Sequence, residues 1–294
     1  MRALLLTVLA TAFLAGGSPG VVAKIKVSPA AAPCATAAGG GFVWVSEYGQ
    51  PYLLRIDPRT NRVVGRTMIG TGSCGLGYGA GSLWIEDTSS NTISRVSAGT
   101  HKRLKAIPVG IAPYDATFAF GSAWTTPHVD GLLERIDPAR NSVVARWPVP
   151  GAIGVVAAFG SVWAAGQDGV VRVDPSSGRV LATIPVEGGA GWTAASSDAV
   201  WVTGASGLVR IDPHTNAVSA TVQLPAGNAG DPDVIAGKVW VPIITRNLIA
   251  VVDPALNTVT ATVKVGVGPF VVTNVNGQAW VPSWKGADIW RLAP

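Results

Sequence analysis

Histidine and cysteine are scarce in this sequence, and their scarcity limits the chemistry that it can carry out. There are three histidines and two cysteines in 294 residues. The chain has no closely spaced histidine pair for a metal, no serine nucleophile elbow between a strand and a helix, and no glycine-rich phosphate loop. It also lacks an Asp-x-Asp-x-Asp-Gly calcium loop. The motifs that identify an enzyme most specifically are therefore missing.

Charged residues are also few, at 13% of the chain, with a net charge of +5. Many bases lie singly near turns and strands, and the densest cluster is HKRLK at 101–105. Binding to nucleic acid requires a basic face with stacking aromatics, so we expect no nucleic-acid partner.

Only the start of the chain carries a targeting signal. MRALLLTVLATAFLAGG contains one arginine, an apolar run and small residues, and the small-x-small segment VVA ends at Ala23. This pattern predicts a secretory signal peptide over 1–23. No later run approaches eighteen apolar residues, so we expect no membrane span. The prediction is a single, monomeric domain over 24–294 that is secreted or periplasmic.

A tryptophan recurs every 38 to 40 residues along the chain. The recurrent residues are Trp44, Trp84, Trp124, Trp163, Trp201, Trp240 and Trp280. An Arg-Ile/Val-Asp-Pro segment follows in four of the units. In six units, twelve residues separate the Asp position from the apolar residue that closes the unit. A constant interval across variable sequence indicates a fixed register between strands.

Each unit contains four short alternating segments that are rich in Val, Ile, Thr and Trp and bounded by Gly, Pro, Asn and Asp. Between the third and fourth segments, DPSSG, DPHTN and DPRTN predict tight turns whose last residue is left-handed. His101 occupies that last position in the second unit, and His214 lies within another turn. We interpret both histidines as turn residues.

Four strands in a forty-residue unit predict one blade of a β-propeller. The last unit is one strand short, and AKIKVSP at 23–29 resembles a fourth strand. The prediction is an all-β, seven-bladed β-propeller with four antiparallel strands per blade, closed by the N-terminal strand joining the C-terminal blade. Closure removes exposed sheet edges. We expect the tryptophans to pack between blades and the repeated arginine to form hydrogen bonds or ion pairs within or between them.

The GSVWA, GSLWI and GKVWV second strands, the RIDP-x-TN turns and the closing IPVG-type segments resemble the secreted propellers of the YVTN and streptogramin-lyase-like group. The resemblance covers the whole mature chain. It implies a propeller of seven blades. For activity, it implies a metal-dependent lyase that opens a cyclic depsipeptide by elimination, using histidines and a glutamate on one face.

Cys34 and Cys74 each lie ten residues before a repeated tryptophan. An even pair at matched repeat positions in an exported protein predicts a disulfide between neighbouring blades. The alternative is a two-thiolate metal site, which no nearby histidine or cysteine completes.

Loops between second and third strands share a face with the connections between blades, where propeller ligands often bind. This predicted mouth receives ten of the 17 acidic residues: Glu47, Glu86, Asp87, Asp115, Asp130, Asp168, Glu187, Asp231, Asp233 and Asp288. An acidic mouth favours a cationic ligand, a basic partner, or Ca²⁺ or Mg²⁺. Asp115 and Asp231 share one repeat position and are the candidate metal ligands. The other interpretation is that acids simply suit solvated loops.

Residues on the same face that break the repeat complete the candidate site. The predicted ligand-binding residues are Glu47, Tyr48, Asp87, Tyr114, Asp115, Asp130, Trp192, Asp231, Asp233, Arg246, Trp284 and Lys285. His128 and Glu86 are the catalytic candidates, with His128 as general base. A loop histidine can also be merely solvated.

The function we expect is an exported binding scaffold that engages a small molecule, a peptide or a cell-envelope component at the acidic mouth. The alternative is a metal-dependent lyase or hydrolase with His128 as base. A structural interaction module differs from the first only in ligand size. The Trp-to-Asp interval is 11 residues in blades four and five and 13 in most others, which predicts a low rim there.

Overall fold

The computed structural model describes residues 19–294 and shows seven four-stranded sheets. Residues 1–18, most of the predicted signal peptide, lie outside the described residues. The strands are numbered β1 to β28 in chain order, and each blade runs from an innermost to an outermost strand. The seven blades and their antiparallel pairing confirm the predicted fold.

The innermost strands surround an axial channel. They are β2 (Pro33–Gly39), β6 (Ser73–Gly79), β10 (Pro113–Ala119), β14 (Val155–Ala158), β18 (Ala190–Ala195), β22 (Asp233–Ile235) and β26 (Thr273–Val275). The second strands carry the repeated tryptophans. They are β3 (Phe42–Glu47), β7 (Ser82–Asp87), β11 (Ser122–Pro127), β15 (Ser161–Gly166), β19 (Val200–Gly204), β23 (Lys238–Ile243) and β27 (Gln278–Pro282).

The two outer positions of each blade carry the repeated arginine and the exposed edge. The third strands are β4 (Tyr52–Asp57), β8 (Thr92–Ser97), β12 (Leu132–Asp137), β16 (Gly169–Val173), β20 (Gly207–Asp212), β24 (Leu248–Asp253) and β28 (Asp288–Ala293). The outermost strands are β5 (Arg62–Met68), β9 (Arg103–Pro108), β13 (Ser142–Pro148), β17 (Val180–Pro185), β21 (Ala217–Val222), β25 (Thr258–Lys264) and β1 (Gly20–Lys26). Short 3₁₀ helices occupy Thr88–Ser90 and Ile244–Arg246.

The ring is closed by the N-terminal strand. β1 pairs antiparallel with β28, from Gly20 opposite Ala293 to Lys26 opposite Asp288. The register shifts between Val21 and Ala23 and is regular after that point. The first and last strands thus complete one blade, as the missing fourth strand of the last unit predicted.

The repeated tryptophans are buried between blades. All seven are at most 1% exposed. Trp44 packs with Leu83 and Ile85 of the next blade, and Trp163 packs with Val200 and Val202 of its next blade. The prediction of an inter-blade core is therefore confirmed.

In four of the seven blades, the repeated arginine connects the tryptophan to the neighbouring blade. The Arg172 guanidinium lies 4.4 Å from the Trp163 ring centroid and donates to the Pro213 carbonyl at 2.6 Å and the Asn216 side chain at 2.8 Å. Arg95, Arg135 and Arg291 donate to the Asp-Pro turns of the following blades in the same way. This shared geometry explains why Trp, Arg and Asp-Pro recur together.

The turns between third and outermost strands have the predicted geometry. Their last residues are left-handed: Asn61, His101, Asn141, Gly178, Asn216 and Asn257. His101 has φ 60°, and His214 donates its backbone N–H to Asp212 at 2.7 Å. Both histidines are turn residues, as expected. No helix among residues 19–294 has the length and apolar character needed to cross a bilayer.

Candidate functional site

The candidate site is a cavity of about 230 Å³ at the mouth of the channel, where the innermost strands begin. Its lining is Cys34, Tyr48, Cys74, Glu86, Thr88, Tyr114, Trp192, Phe270 and Trp284. We call it the aromatic cavity. Five of these nine residues are aromatic, and Glu86 supplies the ionisable group.

Four lining residues fill one position of the repeat. Cys34, Cys74, Tyr114 and Phe270 each lie ten residues before the repeated tryptophan of their blade. This position stands at or just before the start of an innermost strand, so the ring of blades brings its side chains together at the axis. Sequence analysis did not single out Phe270, although its place in the same repeat position as Tyr114 was a usable signal.

Three aromatic contacts run along one wall of the cavity. The Tyr48 and Trp284 rings meet at 5.7 Å and 88°, and the Trp192 and Phe270 rings meet at 4.9 Å and 83°. Phe270 and Trp284 lie 5.7 Å apart at 39°. Edge-to-face packing of this kind is favourable and fixes ring orientation. The rings therefore form a wall whose faces point in several directions.

Tyr114 and His128 stack opposite each other. Their centroids are 4.3 Å apart with an interplanar angle of 3°. Nδ1 of His128 lies 2.9 Å from the Ala152 carbonyl oxygen, which can only accept a hydrogen bond. Nδ1 therefore carries the proton, and in the neutral ring Nε2 keeps its lone pair. Tyr114 lines the aromatic cavity, whereas His128 lines a separate groove.

Glu86 is fully buried at the end of β7. Its Oε1 accepts the backbone N–H groups of Cys74 at 2.9 Å and Gly75 at 2.7 Å, and its Oε2 lies 2.7 Å from the Thr88 hydroxyl. Burial raises the pKa of Glu86 well above its usual value, against the lowering effect of the Thr88 hydrogen bond. Burial therefore extends the pH range over which the carboxyl keeps its proton.

The Thr88 hydroxyl is the third group that holds Glu86. Its oxygen lies 2.7 Å from Glu86 Oε2 and 2.9 Å from the Pro113 carbonyl oxygen. A hydroxyl has a single proton, and a carbonyl can only accept. Thr88 donates this proton to Glu86 Oε2, which lowers the pKa of the acid against the effect of burial. Two backbone amides and one hydroxyl thus hold the Glu86 carboxyl, with no charged partner among them.

A disulfide between Cys34 and Cys74 joins β2 and β6 in the cavity wall, as the matched spacing predicted. The Ser46 hydroxyl donates to the Cys74 carbonyl at 2.6 Å and so forms a second link between blades one and two. Because the Cys74 N–H also holds Glu86, the disulfide anchors the acid as well as the wall.

Asp115 and Asp231 lie in the channel, which has a volume of about 290 Å³. Asp115 accepts N–H groups from Val155 and Ala116, each at 2.8 Å, and burial raises its pKa to about 6. Burial, together with repulsion from Asp115 and Asp233, raises the pKa of Asp231 well above its usual value. Asp233 is held by the Asn274 N–H at 2.6 Å, and burial raises its pKa too. The structure thus brings three predicted acids together, below the aromatic cavity rather than in it.

The other predicted acids are distributed more widely. Asp87 is buried and accepts hydroxyl groups of Ser73 at 2.5 Å and Ser94 at 2.6 Å. Glu47 is buried at the end of β3, and burial raises its pKa. Asp130 is exposed and accepts the Ile111 N–H at 2.7 Å. None of these three lines the aromatic cavity.

The two predicted bases lie on the outside of the mouth. Arg246 ends a 3₁₀ helix and is exposed. Lys285 is exposed, and its ammonium lies 5.8 Å from the Trp284 ring centroid. Neither residue is part of the cavity lining.

A groove of about 480 Å³ adjoins the aromatic cavity in blades four and five. The glycines that line it are Gly151, Gly188, Gly189, Gly191 and Gly204. His128 and Trp192 line it where it adjoins the wall of the aromatic cavity. Trp192 lines both spaces. The groove occupies the two blades in which shorter loops predicted a low rim.

The acidic residues do not assemble a side-chain metal site. Across residues 19–294, no three His, Cys, Asp or Glu side chains are grouped so that they could hold a metal ion. Calcium takes six to eight oxygen ligands, which the Asp115–Asp231 pair alone does not supply. The residues present therefore do not fit the metal that the lyase resemblance implies.

Comparisons with solved structures identify the fold. A streptogramin B lyase superposes with a TM-score of 0.80 at 15% identity, covering 92% of this chain and 96% of that chain. Virginiamycin B lyase from Staphylococcus aureus gives 0.79 at 14%, covering 92% and 98%. The WD40 propeller domain of Doa1 gives 0.76 at 14%, covering 94% and 97%. No protein-family model and no curated protein matches the chain. The chain therefore shares its propeller fold with streptogramin B lyase and with a WD40 domain.

Proposed function

We propose that this protein is an exported binding propeller whose ligand enters the aromatic cavity. One observation carries the proposal: five aromatic side chains converge above a buried carboxyl at the channel mouth. Binding sites are concave, largely apolar and provided with a few polar groups, and this cavity has that composition. The fold alone does not support a function, because related propellers differ in theirs.

The size of the cavity limits what it can hold. Sites for drug-sized ligands occupy about 300–1,000 Å³, and the aromatic cavity has about 230 Å³. It therefore suits a single head group. The adjoining groove, with about 480 Å³ on the other side of Trp192, has room for the remainder of a larger ligand.

Export belongs to the same proposal. The N-terminal pattern is that of a signal peptide, and the disulfide suits an oxidising compartment. Expression of the full chain in a bacterium with an intact export system, followed by intact-mass analysis, tests it. A secreted or periplasmic product that begins near Lys24 and lacks free thiols supports export. Full-length, reduced protein in the cytoplasm contradicts it.

Ligand-observed NMR tests the binding site with small probes. We expect saturation transfer to choline, benzyl alcohol or cyclohexanol in the wild type, and loss of that transfer in a Trp192→Ala, Trp284→Ala double variant. Trp147→Phe, in the core between blades three and four, is the matched control and should retain binding. If no probe binds, or if binding survives the double variant, the proposed site is wrong.

A lyase is the second candidate, and the geometry of His128 favours it. Its Nδ1 is engaged by the Ala152 carbonyl, which leaves Nε2 to accept a proton from a substrate in the groove. Glu86 lies in the other cavity, so it does not act with His128 on the same atom. An assay for opening of a cyclic depsipeptide tests this candidate. Activity that disappears in His128→Ala supports it, and activity that survives contradicts the role of His128.

A further inference from the structure

We infer that the head group recognised by the aromatic cavity is an alkylated ammonium ion, such as a trimethylammonium group. The inference rests on the proposed function and names its ligand class. It follows from three features of the cavity: the convergence of aromatic rings, a buried carboxyl without a counter-charge, and a lining without lysine or arginine.

The ring faces provide the first feature. The negative face of an aromatic ring attracts a cation within about 6 Å of its centroid, most strongly for tryptophan. Trp192, Trp284 and Phe270 adjoin one another at 4.9 and 5.7 Å with differing orientations. Tyr114 forms another side, and His128 covers one of its faces. An alkylated ammonium combines positive charge with an apolar surface, and it can contact several such faces at once.

The chain itself places a cation on one of these rings. The Lys285 ammonium lies 5.8 Å from the Trp284 centroid, outside the cavity lining. Trp284 is therefore in a position to receive positive charge. Lys285 lies near the mouth and repels an incoming cation, so its removal should strengthen binding.

Glu86 provides the second feature. Among residues 19–294, no ion pair involves Glu86, although it is fully buried. The buried Glu134 differs, because Arg146 pairs with it at 2.7 Å. Burying a carboxylate costs free energy that a partner of opposite charge offsets most effectively. A bound cation would give Glu86 the partner that Arg146 gives Glu134.

The polar lining argues against other ligand classes. No lysine or arginine lines the cavity, so a phosphate or carboxylate group would meet no positive charge there. A sugar needs several free hydrogen-bonding groups. Glu86 and Thr88 are engaged with each other and with backbone groups, which leaves the hydroxyls of Tyr48 and Tyr114 as the side-chain hydrogen-bonding oxygens of the lining. An alkylated ammonium makes no directional hydrogen bonds and leaves these contacts intact.

The inference predicts a release of protons on binding. The groups that face Glu86 are the Asp87 and Asp115 carboxyls, the Thr88 hydroxyl and the amides of Cys74 and Gly75, with no base among them. Burial raises the pKa of Glu86 well above its usual value, so the free protein holds this proton to a higher pH than an exposed glutamic acid would. A cation next to it favours the carboxylate, so affinity should rise with pH until Glu86 is ionised without ligand.

Calorimetric titration with choline and with its uncharged isostere 3,3-dimethylbutan-1-ol tests the inference. We expect choline to bind about tenfold more tightly or better, because only the cation gains from the ring faces and Glu86. Heats measured in buffers of different ionisation enthalpy should show a proton released with choline and none with the alcohol. N-Acetylglucosamine should not bind.

Glu86→Gln is the diagnostic variant. Glutamine has the shape of the protonated acid, accepts the two amides and donates to Thr88, so the fold should be retained, which thermal melting checks. Choline affinity should fall about tenfold or more, lose its pH dependence and approach that of the alcohol. Lys285→Met should raise choline affinity, and Asp168→Asn, on an exposed loop, should not change it.

The outcomes separate this inference from the proposed function. If choline and the alcohol bind equally, or if the sugar binds better, the cavity is a ligand site of another class and the inference is overturned. If nothing binds, the proposed function fails as well. A tripeptide that carries trimethyl-lysine distinguishes the source of the ammonium group. If the tripeptide binds more tightly than choline, the ligand is a peptide that also occupies the groove. If it binds equally or more weakly, the ligand is a free small molecule. Either result supports the inference.

Discussion

Replacing Asp231 by asparagine changes the pH dependence of stability, and this prediction depends on the channel acids described above. The Asp231 carboxylate receives no hydrogen bond within the described residues, so the amide breaks none. Burial and two neighbouring carboxyls oppose its ionisation. We expect Asp231→Asn to be more stable than the wild type at pH 8 and to differ little from it near pH 4.

The shift at Asp115 gives the scale of the effect. Burial raises its pKa from 3.8 to about 6. The folded chain therefore holds this proton more tightly than the unfolded chain does. The resulting stabilisation is complete below pH 3.8 and is lost as the pH rises through 6. At about 1.4 kcal/mol per pKa unit, Asp115 alone accounts for about 3 kcal/mol. The pKa of Asp231 is also raised, so its ionisation adds to the loss of stability in the wild type but not in Asp231→Asn.

The aspartates of the outer turns act in the opposite direction. The hydroxyl and backbone N–H of Ser176 lower the pKa of Asp174 to about 2. Such a group stabilises the fold above its unfolded pKa, and the contribution is lost as the pH falls through the folded value. The two sets of acids together predict a stability maximum at about pH 4, where both contribute.

Urea unfolding followed by tryptophan fluorescence at pH 4, 6 and 8 measures these differences. The wild type should lose about 3 kcal/mol or more between pH 4 and 8, or about 6–12 °C in melting temperature, and Asp231→Asn should lose less. Asp168→Asn is the matched control, because its side chain is exposed. Parallel profiles for the wild type and Asp231→Asn, or a wild type that gains stability from pH 4 to 8, would refute the reasoning.

Three further predictions concern contacts between the blades. Arg291→Met removes the charged hydrogen bonds from the last blade to the first and should destabilise the fold by about 1.5–3 kcal/mol in urea unfolding. A Cys34→Ser, Cys74→Ser double variant opens a 40-residue loop and should lose about 4 kcal/mol, with unfolding that no longer responds to dithiothreitol. Gly77→Ala places a Cβ 2.8 Å from the next inner strand and should lower the melting temperature, whereas Gly99→Ala, whose Cβ meets nothing closer than 4.0 Å, should not.

Local patterns were sufficient to predict most of the fold. The Asp-Pro turns have the predicted left-handed last residue at Asn141 and Gly178 because turn geometry depends on a few adjacent residues. The disulfide was also predictable, since Cys34 and Cys74 occupy the same position in adjacent repeats. A repeat copies its geometry, so equivalent positions in neighbouring blades come close together.

The candidate site was predicted less completely. Sequence analysis selected Tyr114, Trp192 and Trp284 but not Phe270, because a phenylalanine adds no polar or charged group to the repeat. It placed Asp87 at an acidic mouth, whereas the side chain is buried against hydroxyl groups of its own blade. Assigning the strands predicts on which face of the propeller a loop lies. It does not predict the direction of each side chain at the end of a strand.

The sequence by itself determined the number of blades, the strands in each and the closing partner of the first strand, since these depend on a period and a register that can be counted. Only the tertiary structure decided that Glu86 lies without a counter-charge beneath aromatic rings from four other blades. Those rings come from positions up to 236 residues apart in the chain, from Tyr48 to Trp284. Closure of the ring of blades brings these aromatic side chains to one axis. No local sequence pattern shows which faces of the side chains meet there.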